Sequence, residues 1–356
     1  ELEHADPYLL IRGNHEHEDF ALYRAPLPTT ETRSNPEAWD TLWIPKTGAL
    51  FSDYEVLENH WVIEYSEEGC GRYLIAEPNP AAFEIRQELT LSTSIHDTHL
   101  DPLPGYHRDT IRMRISTPAM PLEVREIDLT NGNFKQLKVS TPPNGHDESN
   151  YIVQRSYGIS GDGQRIPLTI VHHRDVTPHP ESPVLLTGYG AYGMSLTPGF
   201  SASRRTLLTR GVIHVTAHVR GGMENGYQWY RAGRMADKDQ SFNDFIGAAE
   251  TLIRDGWTST GNIILHGGSA GGLLVGTTVM RRPELFKGVI ADVPFVDVLE
   301  TMLDADLPLT PPEWPEWGNP IESMDAKRRL GHFSPTQMVE NRPYPCILAT
   351  AGLTDP

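Results

Sequence analysis

Three strand couplets recur along the first part of the chain at a fixed interval, and that interval limits the folds open to it. YLLIRGN (Tyr8 to Asn14) is followed by FALYRAP (Phe20 to Pro26), WVIEYSE (Trp61 to Glu67) by RYLIAEP (Arg72 to Pro78), and IRMRIST (Ile111 to Thr117) by EVREIDL (Glu123 to Leu129). Equivalent positions Leu22, Tyr73 and Val124 are 51 residues apart each time. A period of this length marks small antiparallel sheets that must stack on their neighbours to bury their apolar faces. Hairpin signals such as DLTNGN (Asp128 to Asn133) favour the blades of a β-propeller over a solenoid. Propellers close with about four to eight blades, so the three repeats predict a partial propeller, its C-terminal blades, over residues 1–140.

The polar stretch at 141–150, with two prolines and a glycine, reads as a linker. From 151 to 356 the pattern changes. Short apolar runs PVLLTGYG (Pro183 to Gly190), GVIHVTAHV (Gly211 to Val219), NIILH (Asn262 to His266), KGVIADV (Lys287 to Val293) and CILATAG (Cys346 to Gly352) have the character of buried strands. Between them, DQSFNDFIGAAETLIRDG places Phe242, Phe245, Ile246, Ala249, Leu252 and Ile253 on one helical face before Gly256 stops it. Alternating strands and helices predict a mostly parallel, doubly wound sheet covered on both faces.

Within that sheet the run HGGSAGGLLVG (His266 to Gly276) fits G-x-S-x-G. In a chain with 31 glycines the letters alone are weak, and the flanks carry the reading. Ile263, Ile264 and Leu265 supply a strand and Leu273, Leu274 and Val275 a helix, which is the context of a nucleophile elbow that exposes Ser269. A P-loop would need Lys before Ser or Thr after its last glycine, and a dinucleotide loop would need glycine at Ser269. Neither is present, and no cofactor is expected.

A nucleophilic serine needs a base, an orienting acid and oxyanion donors. In an α/β-hydrolase the acid follows the serine and the histidine follows the acid. Asp355, just past CILATAG, sits where such sheets place the acid, and no histidine follows it here. His266 precedes the acid and reads as a strand-end residue. The His15–Asp19 run lies in a short strand connection without a matching helix motif, so no metal is expected. Cys70 and Cys346 are too few and too distant for a disulfide framework, and no basic and apolar leader heads the chain, which predicts a cytoplasmic protein. No run reaches the length of a membrane helix. The net charge is −17, of which residues 1–150, with 26 acids and 12 bases, hold −14. That surface repels nucleic acid and attracts cationic ligands.

VPFVDVLETMLDADLPLT (Val293 to Thr310), EWGNP (Glu316 to Pro320), HVRGGMENGYQWY (His218 to Tyr230), GYGAYG (Gly188 to Gly193) and the GGSAGG elbow resemble the oligopeptidase B group of the prolyl oligopeptidase family of serine peptidases. The likeness runs along nearly the whole chain. It implies a seven-bladed propeller with an α/β-hydrolase domain and cleavage of short peptides after Lys or Arg. The family's nucleophile maps onto Ser269 and its acid onto Asp355. Its histidine would lie beyond Pro356 and its early blades before Glu1, leaving the hydrolase domain incomplete at its C-terminus. Its oxyanion tyrosine maps onto Tyr189, acting with the Ala270 backbone N–H. Tyr192 is expected to be a core residue.

The family's two carboxylates for the P1 cation would fall at Glu313 and at position 315, which is Pro315 here. Trp314 and Trp317 could add cation–π contact or simply wall the pocket. Acids that favour a second basic residue would fall at Thr197 and Gly199, which carry no charge. A basic P1 residue is therefore expected and a dibasic site is not. An esterase, a prolyl-specific peptidase and an inactive propeller scaffold are the alternatives, and PLTPPEWP (Pro308 to Pro315) could serve as a proline-rich docking segment. The oligomeric state is open.

Overall fold

The computed structural model describes residues 1–5, 7–27, 35–79, 81, 83–91 and 93–353. Two compact units divide the chain. The first holds residues 1–146, 197–200 and 224–228, and the second holds the rest.

Each repeat of the first unit is a four-stranded antiparallel sheet whose two central strands are the couplet seen in the sequence. The first sheet runs β1 (Leu2–Ala5), β2 (Tyr8–Gly13), β3 (Ala21–Pro26), β4 (Asp40–Trp43). The second runs β5 (Ala49–Val56), β6 (Trp61–Glu67), β7 (Cys70–Ala76), β8 (Ile85–Glu88), and the third β9 (Asp97–Asp101), β10 (Thr110–Ser116), β11 (Glu123–Asp128), β12 (Phe134–Val139). Alternation decides how they stack. Phe51, Trp61, Ile63 and Leu74 bury one face of the second sheet against Leu10 and Leu22 of the first. Val62, Tyr73 and Ile75, from the opposite face, pack on Ile111, Met113 and Ile127 of the third. The outer strands escaped the sequence reading because they are short or solvated; β12 is exposed at all six positions and so has no apolar period.

The second unit is built on a seven-stranded sheet in the order β13-β14-β16-β15-β17-β18-β19. Its strands are β13 (Tyr151–Ile159), β14 (Arg165–His173), β15 (Val184–Thr187), β16 (Ile213–Ala217), β17 (Ile263–Gly268), β18 (Phe286–Asp292) and β19 (Cys346–Thr350). β13, β14 and β16 pair antiparallel; β16, β15, β17, β18 and β19 pair parallel. The opening hairpin is an addition to the sequence reading, although Ile166, Leu168 and Ile170 alternate and are fully buried.

Seven helices accompany the described strands: α1 (Ala202–Leu208), α2 (Tyr227–Arg231), α3 (Asp239–Arg254), α4 (Ala270–Arg281), α5 (Val298–Leu303), α6 (Thr310–Trp317) and α7 (Met324–Phe333). α3 buries Phe242, Phe245, Ala249 and Leu252 as expected, but Ile246 and Ile253 are only partly covered and Asp244 is fully buried. The reason is Arg220, whose guanidinium and backbone N–H both donate to the Asp244 carboxylate, at 2.5 to 2.9 Å. The PLTPPEWP segment is not extended: Pro311 and Pro312 open α6, where a missing N–H costs nothing, and Pro315 lies inside it. That helical form removes the proline-rich docking reading. Among the described residues no helix is long and apolar enough to cross a membrane.

Candidate active site

β15, β17, β18 and β19 lie side by side and parallel, so the loops after their carboxyl ends share one edge of the sheet. Open α/β sheets place their ligands at such an edge. Ser269 leaves β17 there and opens α4. Its backbone has φ 55 and ψ −121, a sparsely populated region for a residue with a Cβ. Four bonds hold it: its N–H donates to Asp292 O at 2.9 Å, and its carbonyl accepts from Gly272, Leu273 and Phe295. The turn tolerates no side chain at Gly267, where a Cβ would lie 2.2 Å from the Gly271 carbonyl oxygen.

A serine at a helix N-cap ordinarily turns its hydroxyl back onto the first-turn N–H groups. Ser269 makes no such bond, and its side chain is exposed. Its hydroxyl lies close enough to the phenol of Tyr189, which follows β15, to influence that phenol's ionisation. Burial lifts the Tyr189 phenol above its ordinary pKa, the nearby Ser269 hydroxyl opposes this, and Glu313 and Glu316 add to it. Tyr189 therefore stays protonated and able to donate. The Ala270 N–H occupies the first helical position, one of those that a helix leaves without an internal acceptor.

Glu313, on α6, lies close enough to raise the Tyr189 pKa, but its carboxylate is already engaged. The Tyr192 hydroxyl and Trp317 Nε1 both donate to Glu313 Oε2, at 3.0 and 2.9 Å. Tyr192 thus does more than pack, and burial with the adjoining Glu313 charge pushes its phenol far up. Trp317 is 1% exposed, and its ring already has Lys238 Nζ 4.9 Å from its centroid. No face remains for a substrate, which corrects the expectation of a substrate contact there. Trp314 is partly buried against the core of this unit and donates to Met302 O at 3.1 Å.

Two buried charges went unnoticed in the sequence. Glu316 is 4% exposed and accepts from the Tyr192 N–H at 3.0 Å and the Tyr230 hydroxyl at 2.7 Å. Lys238 is equally buried and donates to Gly190 O. Burial pushes the Lys238 ammonium down to about 8, with Glu316 working against that shift, so it is charged at neutral pH. Both hid among ordinary surface-type residues; only a charge in an otherwise apolar helical face could have flagged them.

His266 Nε2 lies 3.0 Å from Asp292 Oδ2, and Thr350 Oγ1 donates to Asp292 Oδ1 at 2.7 Å. The His266 and Thr350 bonds hold Asp292 below the usual carboxylate range. The histidine next to the elbow is therefore tied to β18, in keeping with a strand-end role. Asp355 lies outside the described residues; β19, which leads to it, ends at Thr350, two strands from β17. A cavity of about 520 Å³ lined by Met235, Lys238, Asp239, Arg329 and His332 touches neither Ser269, Tyr189 nor Glu313.

A strained serine between a central parallel strand and its helix makes the second unit an α/β-hydrolase, here on one chain with propeller blades. Known proteins agree. A profile described as "Prolyl oligopeptidase family" matches residues 198–356. Protease 2 of Moraxella lacunata is 32% identical across 100% of this chain and 50% of its own length. Dipeptidyl aminopeptidase BI of Pseudoxanthomonas mexicana is 37% identical over 74% of this chain and 36% of its own. Oligopeptidase B from Trypanosoma brucei, solved with covalently bound antipain, superposes with a TM-score of 0.90 at 30% identity, over 99% of this chain and 50% of that one. The Leishmania major enzyme gives 0.87 at 32%, over 98% and 49%. The chain belongs to the prolyl oligopeptidase family, and it spans half or less of the length of these relatives.

Proposed function

We propose that this chain carries the nucleophile and oxyanion site of a serine oligopeptidase that cleaves short peptides after Lys or Arg, in the manner of oligopeptidase B. The observation that carries the reading is Ser269, strained, exposed and uncapped at the start of α4, with the Tyr189 phenol near its hydroxyl. Ser269 attacks the scissile carbonyl. Its proton passes to a histidine, which the family resemblance places beyond Pro356 and which Asp355 orients. The carbonyl oxygen gathers charge between the Ala270 N–H and the Tyr189 hydroxyl, donors fixed before the charge develops. The amine leaves with the proton, and water then releases the acyl group from Ser269.

Glu313 is assigned to the P1 cation through Oε1, since Oε2 already accepts two bonds. With Pro315 in place of a second acid, the grip is a single charge. That engagement also favours a second reading, in which Glu313 only braces the pocket and the enzyme is a prolyl-specific peptidase or an esterase. The remaining proposals are a cytoplasmic location, supported by cysteines without a disulfide, and a preference for cationic peptides, supported by the negative charge.

Hydrolysis of Arg-amide and Pro-amide substrates by the native enzyme tests the assignment. Ser269→Ala is expected to abolish both, and Glu313→Gln to lower kcat/KM on the Arg substrate selectively by about 10- to 100-fold, the loss of one charge-assisted bond. Equal losses on both substrates would favour the bracing role, and full activity of Ser269→Ala would end the peptidase reading.

A further inference from the structure

We infer that Glu316 and Lys238 are positioning residues that clamp the Gly188–Gly193 loop and so fix where the Tyr189 hydroxyl points. The inference rests on Tyr189 being an oxyanion donor.

The loop does not hold itself. Gly190 and Gly193 have φ 72 and 67, and Tyr192, which has a Cβ to accommodate, has φ 57. Residues stay in such regions only where their surroundings over-determine them. Here the Gly193 N–H donates to Gly221 O at 2.9 Å and Ser241 Oγ to Gly190 O at 3.4 Å, and two opposite charges add to these bonds. Lys238 takes the carbonyl of Gly190, and Glu316 takes the N–H of Tyr192, two residues further along. Between them lies Ala191, fully buried, so the grip is on both sides of a fixed point. Tyr189 is the residue immediately before the clamped segment.

The clamp is itself braced. The second oxygen of Glu316 accepts from the Tyr230 hydroxyl, which in turn accepts from Arg234 at 3.1 Å. Lys238 sits over Trp317, the same ring whose N–H holds Glu313. Burying two charges is costly, and an apolar pair of similar volume would often be as stable, so stability alone does not explain them. What a charge adds is a short, directional bond to a backbone group. A catalytic donor needs that, because a shift of about 1 Å can cost about 100-fold in rate.

Kinetics of the native enzyme in a double-mutant cycle on an Arg-amide substrate test this. Tyr189→Phe is expected to lower kcat by about 100- to 1000-fold. Glu316→Gln, which leaves one end of the network unmatched, should lower kcat by about 10- to 100-fold with KM within about twofold. In the Tyr189→Phe background the same change should cost less than about threefold, because the group it positions is gone. An equal cost in both backgrounds, or an unchanged kcat for Glu316→Gln beside a damaged Tyr189→Phe, overturns the clamp. A harmless Tyr189→Phe overturns the oxyanion assignment instead. If Glu316→Gln does not fold, Tyr230→Phe removes one hydroxyl and keeps the carboxylate; its kcat loss must likewise vanish in the Tyr189→Phe background.

Discussion

Three of the seven non-glycine residues at positive φ among the described residues lie on the carboxyl edge of the second unit's sheet. Ser269 and Tyr192 both sit at positive φ, and so does Val293, a β-branched residue at φ 41 just past β18. For Ser269 the strain has a clear use: it withdraws the hydroxyl from capping α4 and presents it outward. The cost is measurable. Ser269→Gly should unfold at higher denaturant than Ser269→Ala, by about 1 kcal/mol, because only glycine adopts this conformation freely. Neither variant should hydrolyse peptides. A glycine variant no more stable than the alanine one would contradict the account of the elbow.

At the scale of elements, polar groups buried between strands and helices set two further expectations. Asp244 ties α3 to the segment after β16 through Arg220, and Asp244→Ala would leave that guanidinium buried with less compensation. A loss of about 3 to 5 kcal/mol is expected in thermal or denaturant unfolding, and a loss under 1 kcal/mol would show the pair to be dispensable. In the second blade, burial and the nearby Asp53 charge push the Glu64 carboxyl up to about 7, against the bond from Tyr73. A carboxyl raised in the folded state binds its proton more tightly there than when unfolded. Its contribution is full below pH 4.5 and fades as the pH climbs through 7. Glu64→Gln should therefore flatten the decline in blade stability between those values, followed by unfolding across pH 4 to 8. An unchanged profile would mean that Glu64 ionises normally.

Across the whole molecule, what could be read in advance depended on how strongly each part is patterned. The couplets around Leu22, Tyr73 and Val124 are central strands with buried faces, so their period survived in the sequence. The edge strands β1 and β12 are solvated and carry no such period. The elbow was legible because glycines flank Ser269 wherever helix and strand approach too closely for a side chain. α6 was not, since its prolines also fit an extended segment, and the clamp was hidden because burial of Lys238 and Glu316 is a property of tertiary packing alone. The central claim is that Ser269 is the nucleophile and Tyr189 its oxyanion partner. Fluorophosphonate labelling of the native enzyme, mapped to the modified peptide by mass spectrometry, tests it most directly. The account predicts label on Ser269, slowed about 100-fold by Tyr189→Phe. Label elsewhere that survives Ser269→Ala, or no label at all, would contradict it.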